Sequence, residues 1–209
     1  MSKRKEGVFI TLEGTEGAGK STSLSFVQEY LTSEKIPLTV TREPGGTPFA
    51  EELRQLLLSP RDENVCEDAE LLLMFAARAQ HIQELIRPAL ERGQWVLSDR
   101  FTDASFAYQG GGRGMNLDTI SQLENLVQGE LRPDLVILLD LPVEIGMQRV
   151  SKRGALDRFE QENLTFFERV RGVYLQRAKV NPERYVVVNA AQSINAVQND
   201  IAAALSKLL

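Results

Sequence analysis

The chain has 209 residues, 43% of them hydrophobic, and a formal net charge of −5 at pH 7. This length and composition predict one globular domain over 1–209 that can bury a core, and the negative charge argues against a nucleic-acid polymer as partner. No apolar run approaches a transmembrane length and no signal peptide is visible, so we expect no membrane partner. The single cysteine, Cys66, cannot form an internal disulfide, which indicates a reducing, cytoplasmic location.

The first predicted elements enclose a glycine-rich loop. Val8 to Leu12 is an apolar, β-branched run that predicts a buried strand, and the apolar spacing of Ser23 to Leu31 predicts a helix. Between them, residues 14–21 read G-T-E-G-A-G-K-S and match the P-loop pattern. Its glycines allow positive φ, so that backbone N–H groups can surround a phosphate at a helix N-terminus. We therefore predict a nucleoside triphosphate site, because an ordinary glycine turn would not require the Lys-Ser pair.

The pattern assigns roles within this loop and suggests where a metal ion binds. Lys20 is predicted to reach the β- and γ-phosphates, and Ser21 to ligate Mg²⁺. Asp99 ends the apolar strand Trp95 to Ser98, where an NTPase places an acid that holds Mg²⁺. Asp140 ends another strand, and capping of the next segment is the better interpretation for it. The predicted triphosphate-binding residues are Gly14, Thr15, Glu16, Gly17, Ala18, Gly19, Lys20, Ser21 and Thr22.

Further strands alternate with helical segments. The apolar runs are short, continuous and mostly β-branched, which is typical of buried parallel strands; they are Leu38 to Thr41, Trp95 to Ser98, Leu135 to Leu139 and Tyr185 to Val188. The alternation predicts βαβ crossovers and a five-stranded parallel sheet flanked by helices. Ligands of such sheets bind at the carboxyl ends of the strands. One helix is predicted from about Asp68 to Ile86, and on it we expect His81, the single histidine, at a surface or a dimer contact.

Several separate motifs follow the loop in a fixed order. They read T-R-E-P-G-G-T at 41–47, L-M-F-A-A-R at 73–78, D-R-F-T-D-A-S-F-A-Y-Q-G at 99–110 and L-D-R at 156–158. Together with the loop they resemble the bacterial thymidylate kinases over nearly the whole chain. The resemblance implies a P-loop, nucleoside-monophosphate-kinase-like fold with a mobile lid. It also implies a homodimeric enzyme that uses Mg²⁺ and transfers the γ-phosphoryl group of ATP to thymidine monophosphate (dTMP) in dTTP synthesis.

The resemblance implies how the acceptor base would be held. Phe75 would stack on the thymine ring and Arg78 would donate to a carbonyl oxygen, and their i, i+3 spacing places both on one helix face. Without the resemblance, Phe75 would be read as a core aromatic. Ser105 and Gln109 are candidates for the base edge, and Tyr108 for packing under the sugar. Polar loop residues such as these also often satisfy only backbone groups.

Arginines are the expected ligands of the acceptor phosphate. Arg42 and Arg100 are predicted to clamp it, because guanidinium groups bind phosphate oxygens bidentately, and Arg54 is a further candidate. The resemblance implies that Glu13 faces the sugar or phosphate of the nucleotide and its metal, and capping is the alternative for this residue. Pro44 belongs to a tight turn beside the substrate, where a cis peptide and a plain turn are both open.

A lid is predicted at about 148–160. The loop carries Glu16 and Ala18 and no arginine, and relatives of one bacterial subtype place the catalytic arginine in such a lid. The resemblance therefore implies that lid arginines neutralise the transferred phosphoryl group and that Arg149 lies near the adenine. Without the resemblance, this basic cluster would be read as a solvated helix face. The predicted catalytic residues are Lys20, Arg100, Arg153 and Arg158.

Two other functional classes stay open at this point. The first is another nucleoside or nucleotide kinase, which would differ in the acceptor that it prefers. The second is a P-loop switch or assembly ATPase, which would hydrolyse slowly without an acceptor and bind a protein partner. The guanine-reading N-K-x-D motif of GTPases is missing from the sequence, which argues against a regulatory G protein.

Overall fold

A five-stranded parallel sheet lies at the centre of the computed structural model, which describes residues 7–152 and 157–209. The strands are β1 (Phe9–Glu13), β2 (Leu38–Arg42), β3 (Trp95–Asp99), β4 (Leu135–Asp140) and β5 (Tyr185–Asn189). They pair in parallel in the order β2-β3-β1-β4-β5. The predicted sheet is confirmed, and each strand ends one residue later than predicted, on a polar side chain.

Helices connect these strands. In the described residues they are α1 (Lys20–Ser33), α2 (Pro48–Leu58), α3 (Glu67–His81), α4 (Arg87–Glu91), α5 (Thr102–Ser105), α6 (Leu117–Gln128), α7 (Val143–Val150), α8 (Leu164–Val180) and α9 (Ile194–Leu205). Side-chain oxygens cap the first turn of four of them, from Thr47, Asn116, Asn163 and Ser193. Within the described ranges, no helix has both the length and the apolar character needed to span a bilayer.

Helices pack on both sides of the sheet and bury its three central strands, β3, β1 and β4. The runs of β2 and β5 were also predicted to be buried, but these strands lie at the edges of the sheet and are partly exposed. Successive side chains of a strand point to opposite faces, and β4 shows the result. Ile137 and Leu139 pack in the apolar cluster that includes residues of α1 and α9. Val136 and Leu138 pack in a second cluster with residues of α8. The apolar run of β4 is therefore continuous because helices cover both faces of this strand, as the sequence predicted.

Two helical segments widen into π-helix, at Ile82–Ile86 and Phe106–Gly112. The helix predicted from about Asp68 to Ile86 is α3 continued by the first of them. Pro88 follows this segment, and in a continuous α-helix its ring would collide with the carbonyl of Glu84. The wider turn lies where a regular helix could not continue without that clash.

The second π-helical segment is pressed against α8. A Cβ atom at Gly111 would lie 2.9 Å from the carbonyl oxygen of Arg169, and one at Gly112 would lie 2.4 Å from the ring of Phe166. The Arg169 guanidinium donates to the carbonyls of both glycines, at 3.0 and 2.5 Å. Glycine is required here for close approach, and this contact holds the segment at the edge of the candidate site.

Candidate active site

A cavity of about 620 Å³ lies beyond the carboxyl ends of β1, β2 and β3, and its volume is in the range of small-molecule sites. The structure brings many predicted residues into its lining: Glu16, Gly17, Gly19, Lys20, Ser21, Thr22, Pro44, Arg54, Arg78, Asp99, Arg100, Ser105, Tyr108, Gln109 and Arg149. Other predicted residues are described but do not line it: Glu13, Gly14, Thr15, Ala18, Arg42, Phe75 and Arg158. Arg153 lies outside the described residues.

The glycine loop has the geometry of an anion-binding nest. Gly14, Gly17 and Gly19 have φ of 144°, 72° and 90°, as the pattern predicted. The Lys20 ammonium donates to the carbonyls of Gly14 and Thr15, at 3.1 and 3.0 Å, so that it closes the loop on itself. Burial and then the charge of Arg100 lower the pKa of Lys20. An anion bound at this loop would offset both effects.

Arg100 links the loop to the opposite wall of the cavity. It adopts a left-handed backbone conformation, with φ 69°, and its guanidinium lies 2.6 Å from Glu16 Oε1 and 4.7 Å from the centre of the Tyr108 ring. The Tyr108 hydroxyl donates to the same Glu16 oxygen at 2.8 Å. Burial is the largest influence and alone would lower the pKa of Arg100, but the neighbouring acidic groups, Glu16 first among them, together outweigh it and hold that pKa well above its usual value. Arg100 is therefore a fixed positive charge between the two ends of the cavity.

The two candidate metal-binding aspartates differ in their surroundings. Asp99 Oδ1 is buried and has no hydrogen-bond partner within the described residues, and Asp99 lines the cavity together with Ser21. Asp140 instead accepts two hydrogen bonds from Arg171, at 2.7 and 3.0 Å. Carboxylate and hydroxyl oxygens are the ligands that Mg²⁺ prefers. Asp99 and Ser21 fit a metal ion that a nucleotide carries. Both carboxylate oxygens of Asp140 bind Arg171, and no side chain caps the first turn of α7, so the predicted capping role of Asp140 is wrong.

Arg78 lies at the other end of the cavity, and one of its nitrogens has no partner among the described residues. Its Nε donates to Glu43 at 2.7 Å, and its Nη2 donates to the Phe101 carbonyl and to Ser105 Oγ, at 3.2 and 3.1 Å. Its Nη1 is buried and has no hydrogen-bond partner in the described part of the chain. An unpaired buried donor is costly, and a ligand carbonyl in the cavity would satisfy it.

Phe75 does not lie in the cavity, contrary to what the resemblance implied. It is 2% exposed and packs with Leu71, Phe106 and Ile120, and its ring lies under the Arg78 guanidinium at 4.6 Å. Met74 lines the cavity instead. At 100° per residue, Met74 is displaced by about 40° from the direction of Arg78, whereas Phe75 is displaced by about 60° to the other side. The i, i+3 rule placed both residues on one broad face, but the apolar core takes Phe75.

The π-helical segment supplies the wall opposite the loop. Tyr108 and Gln109 both line the cavity, and Gln109 is held from behind because its Nε2 donates to Glu70 at 2.9 Å. Ser105 precedes them and accepts from Arg78. Both predicted base-edge residues thus have protein partners, and both still border the space that a base would occupy.

The three arginines proposed for a phosphate lie in different places. Arg100 and Arg54 line the cavity, and Arg54 Nη1 donates to the carbonyl of Pro44 at 2.8 Å. The Glu43–Pro44 peptide is cis. Arg42 instead makes a two-point contact with Glu51, at 3.2 and 2.8 Å, and its side chain is 54% exposed.

Glu13 is buried beneath the cavity. It accepts hydrogen bonds from the Phe101 amide at 2.7 Å and from the Tyr174 hydroxyl at 2.9 Å. Burial, followed by the charge of Asp103, raises the pKa of Glu13 to about 8. The structure therefore places this acid at the base of the site and not in its lining.

The predicted lid is described only in part. Arg149 lies against the loop, because its guanidinium donates to the carbonyls of Gly17 and Ala190 at 3.1 and 3.4 Å. Arg158 donates to Glu70 at 2.6 Å and to the Leu57 carbonyl at 3.0 Å, so the structure does not bring it into the cavity. Arg153 and Gly154 belong to the part of the lid that is not described.

The sequence interpretation of His81 was wrong. The side chain is fully buried, with Nδ1 at 2.9 Å from Glu43 Oε1 and Nε2 at 2.7 Å from Thr41 Oγ1. The sequence interpretation also missed Glu43 as the partner of Arg78, and Met74 as a lining residue. The position of Met74, four residues before Arg78, was an available signal. No local pattern connects His81 with Glu43, because they are 38 residues apart in sequence.

The fold and the cavity define a P-loop α/β protein of the nucleoside-monophosphate-kinase type, in which a phosphate-binding loop faces a second ligand region. The family model described as Thymidylate kinase matches residues 12–201. A solved thymidylate kinase from Ehrlichia chaffeensis has a TM-score of 0.77 and 33% identity to this chain, over 96% of this chain and 99% of that one.

Curated relatives give the same result at higher identity. The thymidylate kinase of Ectopseudomonas mendocina (strain ymp) is 59% identical over 203 residues, which cover 97% of each chain. That of Teredinibacter turnerae is 58% identical, over 97% of this chain and 99% of the relative. The chain belongs to the thymidylate kinase family.

Proposed function

We propose that this protein transfers the γ-phosphoryl group of ATP to dTMP and so forms dTDP and ADP in dTTP synthesis. The observation that carries the proposal is a cavity with an anion-binding glycine loop at one end and, at the other, Arg78 Nη1, which has no hydrogen-bond partner in residues 7–152 and 157–209. A phosphate donor fits the first end and a carbonyl-bearing base fits the second. Membership of the thymidylate kinase family supports the same pair of substrates.

At the donor end, the loop amides and Lys20 would hold the phosphates of ATP, and Arg149 beside Gly17 would border the adenine. Asp99 and Ser21 would hold Mg²⁺, which supplies charge stabilisation to the phosphates when it is bound. Phosphoryl transfer depends mainly on positioning and on charge. Arg100 lies between the two ends and would act on both nucleotides.

At the acceptor end, Arg78 Nη1 would donate to a thymine carbonyl oxygen. Cytosine carries an amino group where thymine carries one of its carbonyls, and a buried donor facing a second donor would be left unpaired. Met74 would contact the base with its apolar side chain, in the role that the resemblance assigned to Phe75. Tyr108 would border the sugar, and Gln109 would border the base edge.

Arg54 and Arg100 would bind the acceptor phosphate. Both line the cavity, whereas Arg42 is engaged by Glu51 in its present position. The predicted catalytic role of Arg153 stays a proposal that rests on the resemblance. Arg158 would support the lid through Glu70, because its guanidinium is directed there.

Three further proposals concern the oligomeric state, the domain organisation and the location of the protein. We propose a homodimer, because large apolar side chains are exposed on three helices that pack side by side: Phe49 and Leu56 on α2, Leu72 on α3 and Leu126 on α6. We propose a single domain with a lid at about 148–160. The exposed free thiol of Cys66 suits the reducing cytoplasm.

A coupled assay over a panel of acceptors tests the function. We expect ADP formation with ATP and dTMP, slower reaction with dUMP, and still slower reaction with dCMP and dGMP. Lys20→Ala should lower turnover with dTMP by orders of magnitude while circular dichroism shows a folded protein. Another nucleotide kinase would prefer a different monophosphate, and an assembly ATPase would form ADP equally well without any acceptor. Either result would overturn the proposal.

A further inference from the structure

A chain of three buried side chains, Glu43, His81 and Thr41, starts at Glu43 in the cavity lining beside Arg78 and leads away from the cavity. Glu43 is 4% exposed and bridges two partners: its Oε2 accepts from Arg78 Nε at 2.7 Å, and its Oε1 lies 2.9 Å from His81 Nδ1. The far nitrogen of His81 lies 2.7 Å from Thr41 Oγ1. A Cβ atom at Gly46 would lie within 2.6 Å of both His81 and Thr41, so the backbone closes tightly over the imidazole.

The direction of the hydrogen bonds in this chain follows from the charge of Glu43. Burial raises the pKa of its carboxyl, but the charge of Arg78 and the hydrogen bond from His81 outweigh burial, so that the pKa lies below its usual value. An ionised carboxylate only accepts hydrogen bonds. His81 Nδ1 therefore carries a proton and donates to Glu43.

The Arg78 guanidinium is held on its face and on two of its three nitrogens. The Phe75 ring lies against its face, Nε is held by Glu43, and Nη2 is held by the Phe101 carbonyl and Ser105. Because the group is planar, these contacts determine the direction in which Nη1 points. The contact through Nε is an ion pair with Glu43. The position of the Glu43 carboxylate depends in turn on its hydrogen bond with His81.

We propose that His81 is a positioning residue for acceptor-base specificity, because it orients Glu43 and thereby fixes the direction of the free Arg78 nitrogen. The proposal rests on the proposed function, in which that nitrogen meets a thymine carbonyl. Removing the His81 donor leaves Glu43 free to turn toward other partners, so that Arg78 loses its orientation while it keeps its charge. Recognition of the base weakens, and the ATP end of the cavity is unchanged.

A matched set of variants at His81 tests the proposal. The side-chain amide of Asn reaches the position of Nδ1 and that of Gln reaches the position of Nε2, so only His81→Asn retains the donor to Glu43. For His81→Leu and His81→Gln, we expect the kcat/KM ratio of dTMP over dCMP to fall roughly tenfold, the effect of one oriented hydrogen bond. The KM of dTMP should rise and the KM of ATP should stay unchanged. His81→Asn should restore most of the ratio.

Arg87→Gln is the matched control, because Arg87 also makes a partly buried hydrogen bond, at 2.8 Å to the Gln128 carbonyl, and does not line the cavity. It should lower stability without changing the ratio. If His81→Leu does not fold, Glu43→Gln keeps the shape and removes the charge, and the same loss of selectivity is expected.

The outcomes separate this proposal from the proposed function. If Arg78→Ala abolishes selectivity while the folded His81 variants and Glu43→Gln keep it, the positioning role is wrong and the function stands. If Arg78→Ala keeps selectivity, the assignment of Arg78 to the base fails, and the positioning proposal fails with it. If His81→Asn behaves like His81→Leu, the contribution of His81 is packing and not the donor.

Discussion

The buried carboxyl of Glu13 links the stability of this fold to pH. Its pKa rises from an ordinary 4.5 to about 8, mainly through burial, so the folded state binds a proton that the unfolded state releases between those values. Stability therefore falls as pH rises through this window, and the contribution is fully present only below about pH 4.5. Above about pH 8 no further loss is expected.

We expect Glu13→Gln to remove this dependence, because an amide can still accept from the Phe101 amide and donate to the Tyr174 hydroxyl. Urea titrations at several pH values should show that the native protein loses stability relative to the variant, by at most roughly 1.4 kcal/mol per pH unit. Equal changes in the two proteins between about pH 5 and pH 8 would contradict the assignment of a raised pKa.

At the residue scale, the sequence was sufficient to predict the role of a residue where that role depends on a local sequence pattern. The loop glycines have the positive φ that the pattern requires, and Asp99 lines the cavity as predicted. The predicted capping by Asp140 is wrong because Arg171, a distant residue, binds its carboxylate. Met74 was missed because the choice between it and Phe75 depends on which of them the core accommodates. That choice is made by packing against distant helices, and a spacing rule does not include it.

Between elements, Glu70 connects three parts of the chain. It is 1% exposed on α3, accepts from Gln109 of the π-helical segment at 2.9 Å, and pairs with Arg158 of the predicted lid at 2.6 Å. Arg113 also approaches it at 3.4 Å. The acceptor wall and the lid segment therefore share one buried carboxylate.

We expect Glu70→Gln to weaken the contacts of α3 with the π-helical segment and with the lid segment. The amide keeps the shape of the side chain but loses the charge that holds Arg158. Unfolding free energy should fall by about 1–3 kcal/mol, and trypsin should cleave after Arg158 faster in the folded protein. Glu51→Gln, which removes a charge from the exposed Arg42 pair, is the control and should leave cleavage unchanged. Equal cleavage rates for both variants and the native chain would show that Glu70 does not restrain this segment.

At the scale of elements, strands were easier to predict than helical detail. Short apolar runs gave the strand positions to within one residue. In β1, β3 and β4 the signal is continuous because both faces are buried, whereas β5 keeps an apolar sequence although Val187 is 49% exposed. The π-helical turns were not predicted, since periodicity over five to seven residues does not separate them from α-helix or loop. The turn at Phe106–Gly112 also depends on contacts with α8, which lies about 60 residues later.

For the whole molecule, the proposed homodimer gives a test of the exposed apolar helices. Leu72→Glu and Leu126→Glu would each place a charge in the proposed interface. We therefore expect the native protein to have the mass of a dimer and both variants to shift toward the monomer at micromolar concentration. Light scattering after gel filtration measures this. Val180→Glu is the control, because Val180 is 70% exposed on α8, outside these helices. A monomeric native protein, or variants that remain dimeric, would exclude this interface.

The sheet also has a consequence for how the chain folds. Its central strand, β1, pairs Phe9 with Val96 on one side and Ile10 with Leu135 on the other. The strand that leads into the glycine loop therefore has no neighbour until β3 is present and lacks its second neighbour until β4 is present, and such non-local pairing is slow to form. Because the cavity draws its lining from residues 16 to 160, no fragment shorter than this span contains the whole lining. Catalytic activity should appear only late in folding, and it can serve as a measure of the fraction of molecules that have reached the native state.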